Sequence, residues 1–132
     1  MKDFCRIYLT DFSQLPDLTF RQLLECLPPS RRERLEGRRG AALAQSVAAS
    51  VLLYQGLMEE SRPEGFTLRR IPAGELTADR LERAIESRPL DWTPAPGGKP
   101  FPEGIAAGGE RLYISLSHSG GWAAAGLCSR PV

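Results

Sequence analysis

Apolar and polar positions divide the chain into short segments of two different periods. Residues 4–9 (FCRIYL) alternate loosely and predict a first strand. Residues 12–27 predict a short helix, capped by Asp17 and ending before Pro28 and Pro29. Ser30 and Glu33 stand at capping-box spacing and predict a second short helix, whose first turn sets Arg31 and Arg34 on one face. Gly37 and Gly40 mark a joint. Beyond it, Leu43, Val47, Val51, Tyr54 and Met58 recur at helical spacing, and Ala44, Ala48, Leu52 and Leu57 widen the apolar stripe. Residues 41–58 are therefore expected to form the central core helix.

The second half reads as strands around one more helix. Residues 66–71 alternate apolar and basic positions and predict an edge strand, and Thr77 caps a helix over 78–87 with Leu81 and Ile85 on its buried stripe. The stretch 90–104 is rich in proline and glycine and reads as irregular. Leu112, Ile114 and Leu116 then alternate with Tyr113, Ser115 and Ser117, Gly120 and Gly121 supply turn chemistry, and residues 122–127 form a small-residue strand. That pair is a hairpin with Ser117 and His118 at a strand end. The expected fold is α+β, a small antiparallel sheet packed on a long central helix.

Composition narrows the class. A chain of 132 residues with 42% hydrophobic residues and a formal net charge of +1 has the size of one domain, large enough for a core and too neutral for disorder. No stretch approaches the ~20 apolar residues of a membrane span, and the N-terminus has no long apolar signal region. Three cysteines (Cys5, Cys26 and Cys128) with no CxxC spacing predict a reduced, cytoplasmic chain with neither a disulfide framework nor a zinc site. The charge is neutral only in bulk. Residues 28–46 hold five arginines against Glu33 and Glu36, a local excess of +3. One basic stretch on a neutral chain points to a local anionic ligand and away from nucleic acid, which usually meets a broader positive field.

Taken singly, the polar candidates are ordinary. An arginine face is most often solvated, and Ser46 near a helix start is most often surface. A lone histidine beside a turn is most often satisfied by backbone. Ser117-His118-Ser119 lacks the GxSxG of a nucleophile elbow, and adjacent strand residues point to opposite faces. Gly98-Lys99-Pro100 lacks the remaining residues of a Walker loop, though it would present a fixed point charge.

Order and combination change the weighing. PPSRRERL, a long helix with Ser46 near its start, GGKPFPEG and YISLSHSGGWAAAG follow one another. Together they resemble the N-terminal half of the surfactin-type 4′-phosphopantetheinyl transferases, with residues near 66–90 as an insertion. The resemblance implies one half of a pseudo-two-fold enzyme that moves the phosphopantetheine arm of coenzyme A to a serine of an acyl- or peptidyl-carrier protein, with Mg²⁺ on the diphosphate. It assigns Arg31, Arg34 and Ser46 to the 3′-phosphate region, Gly98 and Lys99 to the nucleotide loop, and Ser117 and His118 to the coenzyme A phosphates. Arginine forks, a lysine, a hydroxyl and an imidazole are suitable donors to such a ligand.

The family's G-x-D-x-E strand and W-x-x-K-E-A helix do not occur in the sequence, so no catalytic residue and no metal ligand is assigned here. The chain is expected to be the coenzyme A-binding half of an enzyme, inactive alone, with an apolar face awaiting a C-terminal half or a second copy of the chain. The competing reading is a coenzyme A or nucleotide binder without chemistry, or a structural α+β interaction module.

Overall fold

The computed structural model describes residues 4–58, 65–87, 90–93, 103–106 and 111–129. The elements follow in the order β1 (Phe4–Asp11), α1 (Asp17–Cys26), α2 (Pro29–Leu35), α3 (Gly40–Leu57), β2 (Gly65–Arg70), a 3-10 turn (Ala73–Glu75), α4 (Ala78–Ser87), β3 (Leu90–Thr93), β4 (Glu103–Ala106), β5 (Arg111–Ser119) and β6 (Trp122–Cys128). The fold is α+β.

The strands form one six-stranded sheet in the order β2-β1-β6-β5-β4-β3. It is mixed, not wholly antiparallel as expected. β2 runs parallel to β1, while β1 pairs antiparallel with β6 and β5 with β6. Three helices separate β1 from β2, which gives the chain the long crossover a parallel pair requires.

Two helix starts also differ from expectation. Asp17 is the first helical residue of α1, not its cap; Pro16 holds the cap position, and Asp17 supplies first-turn negative charge instead. Pro28 is the N-cap residue of α2, with no side-chain cap, because Pro29 is already preset for the first helical position. Thr77 does cap α4, its Oγ1 accepting from the Arg80 N–H at 3.3 Å.

α3 lies between the sheet on one side and α1 and α4 on the other. This explains why Val47, Ala48, Val51, Leu52, Leu53, Tyr54 and Leu57 are all buried, although they cover the helix on every side. The sheet face beneath it presents Tyr8 and Thr10 of β1, Ala123, Ala125 and Leu127 of β6 and Ile114 of β5, all buried. Arg6 belongs to the same buried row, its guanidinium carbon 5.8 Å from the Tyr8 ring centroid. The stretch near 66–90, expected as an insertion, contributes Ile71, Leu76, Leu81 and Ala84 to this single core.

At Gly56 the helix comes so close to β1 that a Cβ would stand 2.6 Å from Cε2 of Tyr8. The Tyr8 ring is fully buried and has nowhere to move. Gly56→Val should therefore destabilise the fold by about 1–3 kcal/mol, the usual cost of overpacking. Urea unfolding checks this, and an unchanged midpoint would contradict the close approach.

Cys5 and Cys128 face each other across β1 and β6, their Cα atoms 4.1 Å apart, and are joined as a disulfide. This corrects the expectation of three reduced thiols. A separation of 123 residues conceals the pairing in the sequence, and only the register brings it out.

Candidate functional site

The site is built on the first half of α3. Ser46 and Ser50 stand one turn apart, both buried, and Ser50 Oγ donates to the Ser46 carbonyl at 2.8 Å. The arginines of α2 and the following joint close over these hydroxyls. Arg31 Nε donates to Ser50 Oγ at 3.0 Å, and an Nη of Arg38 donates to Ser46 Oγ. Arg31 and Arg38 thus reach consecutive turns of α3. Arg34 is exposed on the same short helix and acts electrostatically on Arg31.

Three cations this close carry a cost. Burial, followed by the positive charge of Arg34, lowers the Arg31 pKa from its ordinary value to about 10; Arg38 adds to the effect and Tyr54 opposes it. Burial also holds the Tyr54 phenol above its usual range, so at neutral pH it offers no counter-charge. A cluster of this kind favours an external anion.

On its other side Arg38 lines a cleft of about 390 Å³ between α1, α2 and the start of α3. Arg21, Arg32 and Arg39 share that lining with the apolar side chains of Phe20 and Leu43. Arg31 and Arg34 do not line it; they sit on the neighbouring serine face. Arg32 is partly engaged at the rim by Glu36 at 3.7 Å.

The β5–β6 hairpin approaches α3 from the sheet. Its turn is Gly120-Gly121, with Gly120 at φ +58, which glycine adopts without strain. Gln45 Nε2 donates to the Gly120 carbonyl at 3.2 Å, fixing the turn to the residue beside Ser46. His118 pairs with buried Ala123 and so projects on the face covered by α3, whereas Ser117 pairs with Ala124 and projects on the open face. Both are exposed at the strand end.

Of the residues singled out in the sequence, Arg31, Arg34 and Ser46 gather in one cluster. His118 belongs to the hairpin whose turn abuts the same end of α3. Ser117 points away from His118, so the two side chains cannot act as a pair from one face. Gly98 and Lys99 lie outside the described residues. Sequence reasoning missed Arg38 and Ser50, which make the two closest contacts. The i, i+4 spacing of Ser46 and Ser50 was the available signal. Among the described residues no group of three or more histidine, cysteine, aspartate or glutamate side chains could hold a metal ion.

No protein-family model, curated protein or solved structure matches the chain.

Proposed function

We propose that this chain is the coenzyme A-binding half of a 4′-phosphopantetheinyl transferase acting on an acyl- or peptidyl-carrier protein, and that alone it transfers nothing. The observation that carries the reading is the closing of Arg31 and Arg38 over Ser46 and Ser50 beside the hairpin that bears His118. Arginines crowded over two buried hydroxyls suit a ligand with dense phosphate charge. The adjoining cleft, lined by Arg21, Arg32, Arg38 and Arg39 together with Asp17, Glu25 and Glu36, offers an apolar wall to the rest of such a ligand. The resemblance of the GKP and LSHSGGW segments supplies the identity of that ligand.

Calorimetry with coenzyme A and with dephospho-coenzyme A tests the assignment of the arginines. The 3′-phosphate should contribute about 10-fold or more in affinity, one to two charge-assisted bonds. Equal affinities would remove the assignment. Incubation with coenzyme A, Mg²⁺ and apo carrier protein, read by intact mass, should leave the carrier unmodified; a gained phosphopantetheine arm would overturn the half-enzyme reading. Tight binding with no transfer in the presence of any second chain would favour the binder without chemistry.

A further inference from the structure

We propose that two copies of this chain associate through β2, edge to edge, in an antiparallel register centred on Leu68. The inference is independent of coenzyme A. β2 is the last strand of the sheet, and among the described residues no strand lies on its other side. The ladder to β1 fixes which of its backbone groups remain. Ile71 N–H donates to the Leu9 carbonyl at 2.7 Å, and in a parallel ladder every second residue bonds to the same neighbour. Thr67 and Arg69 therefore turn their N–H and C=O toward β1. Phe66, Leu68 and Arg70 turn theirs to the free edge.

These same three residues place their side chains on the sheet face that the helices leave uncovered, because they lie opposite Cys5, Ile7 and Leu9. Phe66 is 68% exposed and Leu68 60%, and Trp122 of β6 on that face is 40% exposed. Soluble monomers seldom leave a flat edge strand with such side chains open, since it templates pairing with another chain.

The sequence of β2 is self-complementary about a two-fold axis through Leu68. In that register Leu68 meets Leu68 of the second copy, Phe66 meets its Arg70, and Thr67 meets its Arg69. Every outward amide in the strand then bonds, about six hydrogen bonds in all. The Arg70 guanidinium already lies 5.0 Å from the Trp122 ring centroid, so the incoming Phe66 ring would complete an aromatic–cation–aromatic stack. Arg70 of one copy stands about 13 Å along the strand from Arg70 of the other, beyond the ~8 Å screening length of physiological salt, and the two Arg69 residues, each opposite a Thr67, stand about 7 Å apart. Sliding the register by one step so that Arg69 faces Arg69 would set like charges directly opposite, which is unfavourable. The charges thus disfavour a slide toward Arg69.

The test is sedimentation of the full chain over a concentration series, joined to hydrogen exchange. The mass should double with rising concentration, in the weak range typical of small interfaces. Over the same series the amides of Phe66, Leu68 and Arg70 should gain protection, while those of Thr67 and Arg69 are protected throughout. Leu68→Pro removes an outward N–H without touching the ladder to β1 and should give a monomer; Phe66→Glu should do the same through the side chain. A chain that stays monomeric at all concentrations overturns the proposal. So does association with unchanged exchange at Phe66, Leu68 and Arg70, which would mean another surface. If neither variant folds, the wild-type exchange pattern alone decides.

Discussion

Replacing Arg31 with methionine should weaken coenzyme A binding by roughly 10- to 100-fold, while the unliganded fold stays as stable as wild type or becomes more so. The first part follows from the loss of one charge-assisted bond, worth about 1.5–3 kcal/mol. The second follows from the cluster's own electrostatics. The Arg31 guanidinium is desolvated by burial and repelled by Arg34 and Arg38, so the folded state holds a cation it would be better without. Methionine keeps the stem that packs on α3. Ser50 remains satisfied after the change, because its hydroxyl donates to the Ser46 carbonyl. The same reasoning fixes the pH dependence. In the free protein Arg31 titrates near 10, and a bound anion would raise that value. The binding gain is then fully present below pH 10 and lost as pH rises through the bound-state value, and only in wild type. Calorimetry gives the affinity and thermal melts the stability. A methionine variant that binds normally but melts several degrees lower would make Arg31 a structural residue.

Much of the fold was legible because the apolar pattern is strong where packing is strong. The span of α3 and the β5–β6 hairpin follow directly from periodicity and turn residues. α4 follows from Thr77 and its apolar stripe. What was not legible depends on long-range register. The parallel partnership of β1 and β2 cannot be read from either strand alone, and the apposition of Cys5 with Cys128 arises only when β6 aligns on β1. Arg6 shows the limit of alternation: a cation in the middle of FCRIYL argues for a solvent face, yet it lies buried beside Tyr8. The candidate site was legible in part. Arg31 and Arg34 were visible as a basic face and Ser46 as a polar position on an apolar helix. Which arginine reaches which serine depends on the path of the joint at Gly37–Gly40. That path brings Arg38 back onto α3, and local spacing does not encode it.

Reduction should lower the stability of this protein more than any single surface substitution. In the chain-entropy model a cross-link over a separation of 123 residues restricts the unfolded chain by about 4–5 kcal/mol, an upper bound because the reduced unfolded state keeps some order. For a domain of this size the melting midpoint should fall by about 10–20 °C on adding a dithiol reductant. Cys5→Ser should melt like the reduced wild type and ignore the reductant. Cys26→Ser should behave like wild type, since Cys26 is outside the bridge; burial and then Glu82 raise its pKa, which keeps it a poor nucleophile for exchange. The loss should not dissolve the sheet. Ser129 Oγ accepts from the Phe4 N–H at 2.9 Å and donates to its carbonyl at 3.2 Å, so the ends of β1 and β6 stay in register without the sulfur bond. Oxidised and reduced protein with the same midpoint would mean that the facing cysteines contribute nothing as a cross-link and that the alignment of β6 on β1 rests on the backbone ladder and Ser129 alone.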